Sequence, residues 1–102
     1  MKSLQPKESE KDTERYLSKC MIGLGGLSYK WSSPGNSGVP DRICIFPTGQ
    51  VVFVELKSEG KKPTELQEFV HRNLRDKRCI VRVLTTKLEV DTFIDYYKEM
   101  QP

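Results

Sequence analysis

The sequence lacks a long hydrophobic run, a cysteine pair and a cluster of histidines. No apolar stretch approaches the ~18 residues needed to cross a bilayer, and the N-terminus has no signal-peptide core. The three cysteines are odd in number, far apart and without a CxxC pair, and there is one histidine. These absences argue against a membrane protein, a disulfide framework and a zinc site. We therefore expect a soluble, cytoplasmic protein with free thiols in a reducing compartment.

The length and charge of the chain also limit the choices. A chain of 102 residues holds one modest core, and its 17 basic and 14 acidic residues give a net charge of +3. A mildly basic balance permits nucleic-acid binding without requiring it. The first residues show no hydrophobic periodicity. We predict a flexible N-terminal tail over residues 1–8 and a single domain over residues 9–102.

Hydrophobic periodicity predicts an α/β fold. Apolar residues recur at helical spacing in three segments, and four short runs favour strands. The order is helix, three-stranded meander, helix, strand, helix, which implies a mixed sheet with a right-handed crossover. The predicted segments are a helix capped by Ser9 over 8–24, strands over 27–31, 42–46 and 51–57, a helix over 63–76, a strand over 79–84 and a helix over 88–97.

The chemistry is concentrated after the third strand. Val51 to Val54 form an apolar run that ends in Glu55, Leu56 and Lys57. Because side chains alternate along a strand, Glu55 and Lys57 should lie on one side of the sheet and Leu56 on the other. Asp41 opens the preceding strand, so a hairpin would bring it beside Glu55. Two carboxylates and a lysine are suited to metal-assisted cleavage of a phosphodiester.

Each of these residues has a predicted role. Asp41, Glu55 and the Leu56 carbonyl would bind Mg²⁺, which prefers oxygen ligands. Lys57 would orient or deprotonate the attacking water, or stabilise the charge of the transition state. Gln67 would hold a water or a phosphate oxygen. We expect a third acid from the first helix, with Glu10 favoured over Glu14. The phosphate backbone of DNA would be bound by Lys30, Arg42, Lys61 and Lys62.

Less specific interpretations of these residues remain. Asp41 would then cap a turn, and Glu55 and Lys57 would form a surface pair. The rival function is a non-catalytic nucleic-acid-binding module on a nuclease fold. We predict a solvated role for His71, and core or interface packing for Tyr29 and Trp31.

The chain resembles the virus-type replication-repair nuclease (VRR-NUC) family of the PD-(D/E)xK superfamily from about Ser9 to its end. The resemblance rests on Glu10, Gly25-Gly26, Ser33-Pro34-Gly35, Gly38-Val39-Pro40-Asp41-Arg42, Phe53-Val54-Glu55-Leu56-Lys57, Lys62-Pro63 and Gln67. It implies a restriction-endonuclease-like fold with Mg²⁺ or Mn²⁺ at Asp41, Glu55 and the Leu56 carbonyl. Small members of the family are similar to Holliday-junction resolvases and act as homodimers, encoded by phages or bacteria.

We therefore predict a structure-selective DNA endonuclease of replication, repair or recombination. A junction needs two symmetric cuts, and a two-fold dimer supplies a second site without new sequence. Several apolar residues exceed the needs of a small core, so the first helix and the strand near Trp31, with or without the closing helix, are the expected interface. These residues are Tyr16, Met21, Tyr29, Trp31, Tyr96, Tyr97 and Met100.

Overall fold

The computed structural model describes residues 8–100, and these residues form three helices and one four-stranded sheet. The elements are α1 (Glu10–Gly23), β1 (Leu27–Lys30), β2 (Arg42–Ile45), β3 (Val51–Leu56), α2 (Glu65–Asp76), β4 (Ile80–Leu84) and α3 (Lys87–Tyr97). Their order is the predicted one, and the α/β fold with a mixed sheet is confirmed.

The sheet is a meander extended by one parallel strand. Its strand order is β1-β2-β3-β4, with β1, β2 and β3 antiparallel and β4 parallel to β3. A parallel neighbour requires a crossover connection, and α2 supplies it. This arrangement places the end of β3 between the start of β2 and the end of β4, so that Asp41 and Glu55 can meet.

The hydrophobic core lies between one face of the sheet and the pair α1 and α3. Cys44, Val52, Val54 and Leu56 point from the strands into this core. The helices contribute side chains at helical spacing, namely Leu17 and Met21 from α1 and Val90, Phe93 and Tyr97 from α3. The Phe46 and Phe93 rings meet edge to face with centroids 5.5 Å apart. Because side chains alternate along a strand, the burial of Leu56 in this core means that Glu55 and Lys57 point away from it.

Helix α2 differs from its predicted form at its start and on its inner face. Thr64 caps the helix, so Pro63 precedes it instead of occupying its first turn. Leu66 and Phe69 recur at helical spacing, and they are 50% and 55% exposed. The side chain that is fully buried on this helix is His71. The apolar stripe of α2 is therefore only partly covered by the sheet.

The predicted tail over 1–8 lies almost wholly outside the described residues, and only Glu8 is included. Its carboxylate accepts a 2.7 Å hydrogen bond from the Lys87 backbone N–H at the start of α3. No helix within residues 8–100 combines the length and the apolar character that a bilayer crossing requires.

Candidate active site

A tight loop before β2 brings Asp41 to the sheet. Gly38 has φ 95°, and a Cβ at this position would lie 3.1 Å from Leu66 Cγ and from Val70 Cγ2. Only glycine can therefore adopt this conformation and this close approach to α2 without displacing a neighbour. Three residues later the Asp41 carbonyl accepts a 2.8 Å hydrogen bond from the Trp31 N–H, which ties the loop to the end of β1.

The side chain of Asp41 is held across the end of β3. Its Oδ2 accepts a 2.9 Å hydrogen bond from the Leu56 N–H. Arg42 pairs with Val54 in the antiparallel register, so Asp41 lies beside the next residue of β3, Glu55. The structure thus brings together the two carboxylates that the predicted hairpin was expected to join.

Glu55 is a buried carboxylate with one satisfied oxygen. The residue is 2% exposed, and its Oε2 lies 3.1 Å from Gln67 Nε2 and 3.6 Å from Lys57 Nζ. The other oxygen, Oε1, is buried and has no hydrogen-bond partner within residues 8–100. An unpaired oxygen on a buried acid is energetically costly, because neither water nor a donor compensates it. This oxygen is thus free to accept a ligand.

Electrostatics at Glu55 favour a nearby cation. Burial, with smaller contributions from the negative charges of Asp41 and Glu10, raises the pKa of Glu55 to about 7, although the Lys57 ammonium acts in the opposite direction. The net effect is unfavourable to the ionised form, so the single lysine does not balance the acids around it. A bound cation would supply the missing positive charge.

Gln67 has two structural functions. Its Nε2 donates to Glu55, while its Oε1 accepts a 2.9 Å hydrogen bond from the Thr64 N–H. The Thr64 hydroxyl in turn accepts from the Gln67 N–H at 3.2 Å, completing a capping box. The sequence suggested contact with a water or a phosphate; the structure shows Gln67 joining the start of α2 to Glu55.

The two acids of α1 face different partners. Glu10, the first residue of the helix, is half-buried and contributes to the electrostatic field at Glu55. Glu14 instead accepts from Arg42 Nε at 2.8 Å and from Lys30 Nζ at 3.3 Å. The carboxylate of Glu14 is therefore already neutralised by two cations. Of the two acids, Glu10 is the one whose charge acts on Glu55.

The four predicted phosphate-binding cations fall into two groups. Lys30 and Arg42 lie on neighbouring strands and share Glu14, with side chains 66% and 21% exposed. Lys61 and Lys62 lie in the exposed loop between β3 and α2. The second pair belongs to the loop that follows Lys57 directly, and no carboxylate holds it among the ion pairs of residues 8–100.

The expectation that His71 is solvated was wrong. Its side chain is fully buried, and neither ring nitrogen has a hydrogen-bond partner in the part of the chain that the structure describes. Burial is the main cause that lowers the pKa of His71, so the neutral imidazole is favoured. Its position four residues after Gln67 places both side chains on the same face of α2, and this spacing was the signal available in the sequence.

The donor set fits a divalent metal bound partly by water. Within residues 8–100, no three His, Cys, Asp or Glu side chains are grouped as a metal site of their own. The available donors are one carboxylate oxygen of Asp41, the unpaired Oε1 of Glu55 and a backbone carbonyl. Mg²⁺ is commonly bound by one or two carboxylates and retains several waters, which agrees with so sparse a set.

Comparison with known proteins agrees with the fold. No protein-family profile matches the chain. A protein described as "Putative nuclease p44", from Acyrthosiphon pisum secondary endosymbiont phage 1, is 43% identical over 65 residues, which are 64% of this chain and 70% of the relative. A solved structure described as "VRR_NUC domain" superposes with a TM-score of 0.81 at 34% identity, covering 88% of this chain and 99% of that one. A second solved structure, described as "VRR_NUC domain protein", shares the fold with a TM-score of 0.72 at 14% identity, covering 90% of this chain and 89% of that one.

The helix–meander–helix–strand–helix order around a mixed sheet is the restriction-endonuclease-like fold of nucleases. Within that class, the similarity along nearly the whole solved structure identifies the family. The chain belongs to the VRR-NUC family, and the protein is a nuclease.

Proposed function

We propose that this protein is a metal-dependent DNA endonuclease whose active site is formed by Asp41, Glu55 and Lys57. The observation that carries the proposal is the unpartnered Oε1 of Glu55, buried beside a second carboxylate with only one lysine to balance them. A site for structure alone has no use for an unsatisfied buried oxygen. A site that binds a cation between two acids requires one.

The metal would be Mg²⁺ or Mn²⁺, held by Asp41, Glu55 and the Leu56 carbonyl. Asp41 Oδ2 already accepts from the Leu56 N–H, and Glu55 Oε2 already accepts from Gln67. Each acid therefore has one oxygen left, and monodentate ligands suit a small octahedral ion better than Ca²⁺, which often takes bidentate carboxylates. When bound, such an ion polarises the phosphate and lowers the pKa of a water.

Lys57 would act on the reacting groups. Its ammonium is held at the site by Glu55 and its side chain is 14% exposed, so it is largely withdrawn from solvent. In this position it orients the attacking water and stabilises the negative charge that develops on the phosphate. Gln67 is a positioning residue, since it acts through the Glu55 carboxylate. Glu10 contributes a further negative charge that strengthens cation binding.

The test is strand cleavage by matched lysine variants. We expect nicking of supercoiled plasmid to require Mg²⁺ or Mn²⁺ and to stop in EDTA. Lys57→Ala should lower the rate by roughly two to four orders of magnitude, the range for losing a group that acts in proton transfer or charge stabilisation. Lys19→Ala, on the exposed side of α1, is the control and should cleave normally.

Two outcomes would reject this site. Full activity of Lys57→Ala would remove the lysine from the mechanism, and cleavage in excess EDTA would remove the metal. DNA binding without cleavage under every metal condition would favour the non-catalytic nucleic-acid-binding module.

The proposed substrate is branched DNA, cut by a homodimer. A four-way junction has two equivalent strands to cut, which matches two active sites related by a two-fold axis. Exposed Lys61 and Lys62 beside the site would bind the phosphates that flank the cut, with Lys30 and Arg42 binding further along the backbone. The protein would act in replication, repair or recombination in a reducing cytoplasm, as an enzyme of a phage or a bacterium. Cleavage of four-way junctions, flaps and plain duplex at equal protein concentration distinguishes these substrates.

A further inference from the structure

A groove runs between α2 and the loop that joins β1 to β2. It encloses about 860 Å³, and its lining includes the rings of Trp31 and Phe69 together with aliphatic side chains of α2. We refer to it as the α2 groove. Sites for small organic molecules have volumes of about 300–1,000 Å³. The α2 groove therefore has the size of a ligand site, and neither Glu55 nor Lys57 lines it.

The α2 groove begins beside the active site. Its lining includes Val39, two residues before Asp41, and Leu66, the residue before Gln67. Its other end is marked by Lys77, which directly follows α2. Leu66 and Lys77 are about 16 Å apart along the helix axis, at a rise of ~1.5 Å per residue. A ligand in the groove would thus extend from the active site along α2.

Three contacts fix the wall of the groove opposite α2. The Trp31 N–H donates a 2.8 Å hydrogen bond to the Asp41 carbonyl. Gly38 approaches α2 so closely that a Cβ would lie 3.1 Å from Val70 Cγ2. The Trp31 ring packs against Phe53, with ring centroids 5.0 Å apart. Since this wall is formed within the chain itself, a ligand does not have to order it on binding.

The lining combines stacking surfaces with hydrogen-bonding groups. Phe69 is 55% exposed and Trp31 is half-buried, so both rings have free surface. Five of the twelve lining residues are polar, namely Ser33, Asn36, Ser37, Asn73 and Lys77. Within residues 8–100, none of these five side chains bonds to another group of the protein. Aromatic rings stack on bases of any sequence, and amides and hydroxyls can bond to base edges.

The charge of the groove favours a nucleic acid over another protein. Lys77 carries the positive charge of the lining, and no carboxylate within residues 8–100 lines the groove. A phosphate can therefore approach Lys77 without repulsion by an acid in the groove. The cores of protein–protein interfaces are depleted of lysine and serine, yet both residue types line this groove.

We propose that the α2 groove binds an unpaired nucleotide of the DNA strand that enters the active site. The base stacks on Trp31 and Phe69. Asn36 and Asn73 hydrogen-bond to the edge of the base, and Lys77 binds a phosphate of the same strand. The inference rests on the proposed nuclease function and narrows its substrate. A base within a duplex is stacked and paired, so its faces are not accessible to a protein. The preferred DNA therefore carries single-stranded nucleotides next to the cut.

Some of the apolar residues that the sequence assigned to an interface have other roles. Met21 and Tyr97 were wrongly counted as spare, since they are 0% and 6% exposed and belong to the core. The Tyr16 hydroxyl donates a 2.6 Å hydrogen bond to Asp91 and joins α1 to α3. Trp31, which was expected in the core or at an interface, lines the α2 groove.

The fluorescence of Trp31 measures binding in the groove directly, because the chain has one tryptophan. In EDTA, where metal-assisted cleavage cannot proceed, a single-stranded oligothymidylate should quench this fluorescence. A blunt duplex of the same length should quench it much less. Phe69→Leu keeps an apolar side chain but removes the ring, so it should weaken the binding of single strands roughly 5- to 150-fold, the equivalent of one lost base stack. Phe69→Tyr should restore most of the affinity.

Two matched control variants lie away from the groove. Tyr96→Leu, on α3, removes a ring that is 60% exposed and should not alter the quenching. Lys77→Ala should lower the slope of log affinity against log salt concentration by about 0.7, the value for one phosphate contact of a single strand. Lys19→Ala, on the exposed side of α1, should leave that slope unchanged.

The results also separate this inference from the proposed nuclease function. Quenching by single strands in a protein that cleaves no DNA with any metal would support the groove and reject the function. Cleavage without quenching would do the reverse. Equal quenching by the blunt duplex, or full affinity of Phe69→Leu, would overturn the inference. A fall in the mass of Phe69→Leu from two chains to one in light scattering would also overturn it, because the groove would then hold a second chain.

Discussion

Replacing Glu55 by glutamine should stabilise the metal-free protein while abolishing cleavage. Burial and the neighbouring acids raise the pKa of Glu55 to about 7, against 4.5 for an ordinary glutamate. The folded state therefore holds a proton that the unfolded state releases between these two values. It follows that the unfolding free energy falls as pH rises from about 4.5 to about 7 and is level above it. Above pH 7 the ionised Glu55 destabilises the fold in full.

The magnitude follows from this difference in pKa. At 1.36 kcal/mol per pH unit, ionised Glu55 costs about 3 kcal/mol at pH 8. Glutamine removes the charge, but its buried amide is incompletely hydrogen-bonded, and this offsets ~1 kcal/mol of the stability gained. We therefore expect Glu55→Gln to gain about 2 kcal/mol at pH 8. In a domain of ~100 residues this corresponds to a rise in Tm of roughly 10 °C.

Thermal unfolding in EDTA at pH 8 and at pH 4.5 provides the assay. The gain should be large at pH 8 and nearly absent at pH 4.5, where wild-type Glu55 is protonated. Comparing the two proteins at each pH cancels the contribution of His71, whose lowered pKa makes the fold lose stability as pH falls. Glu59→Gln, on the exposed loop beyond Lys57, is the control and should change Tm little. A gain of equal size at both pH values would refute the electrostatic argument, as would no gain at pH 8.

Two further predictions concern the residues around Glu55. Gln67→Ala should lower the cleavage rate about tenfold and the unfolding free energy by ~1–2 kcal/mol, because it removes both a donor to Glu55 and a capping interaction. Gln67→Glu should keep the cap yet still impair cleavage. Normal cleavage by both variants would remove Gln67 from the site. Glu10→Gln should reduce the cleavage rate more than Glu14→Gln, whereas Glu14→Gln should lower Tm more, because Glu14 pairs with Arg42. The reverse ranking in cleavage would show that Glu14 is the acid that acts at the site.

The third strand shows why so much of the site could be predicted. An apolar run that ends in Glu55, Leu56 and Lys57 specifies its own alternation, because side chains on a strand point to opposite faces. Leu56 had to enter the core, so Glu55 and Lys57 had to share the other face, and the structure pairs them at 3.6 Å. Asp41 needed only the hairpin to reach them. The register follows from the hydrophobic pattern of both strands.

Helix α2 shows where this reasoning fails. Its apolar residues predict a buried stripe, but a helix packed on one side of a sheet covers only what lies beneath it, so Leu66 and Phe69 stay exposed. Histidine is intermediate in its tendency to be buried, so the four-residue spacing from Gln67 indicated the inner face of α2 without requiring that His71 be fully buried. The double role of Gln67 depends on the distance between the start of α2 and Glu55, which the linear sequence does not contain.

The capping box of α2 turns a helix terminus into a reporter of the active site. The first turn of a helix usually frays readily, and its amide protons exchange with solvent through such local openings. In this protein the turn cannot open without withdrawing the Gln67 amide from Glu55, because the same side chain serves both. Any event that restricts the movement of the Glu55 carboxylate should therefore slow hydrogen exchange at the Thr64 and Gln67 backbone amides. Metal binding at the site would then be visible in two backbone protons that never touch the ion.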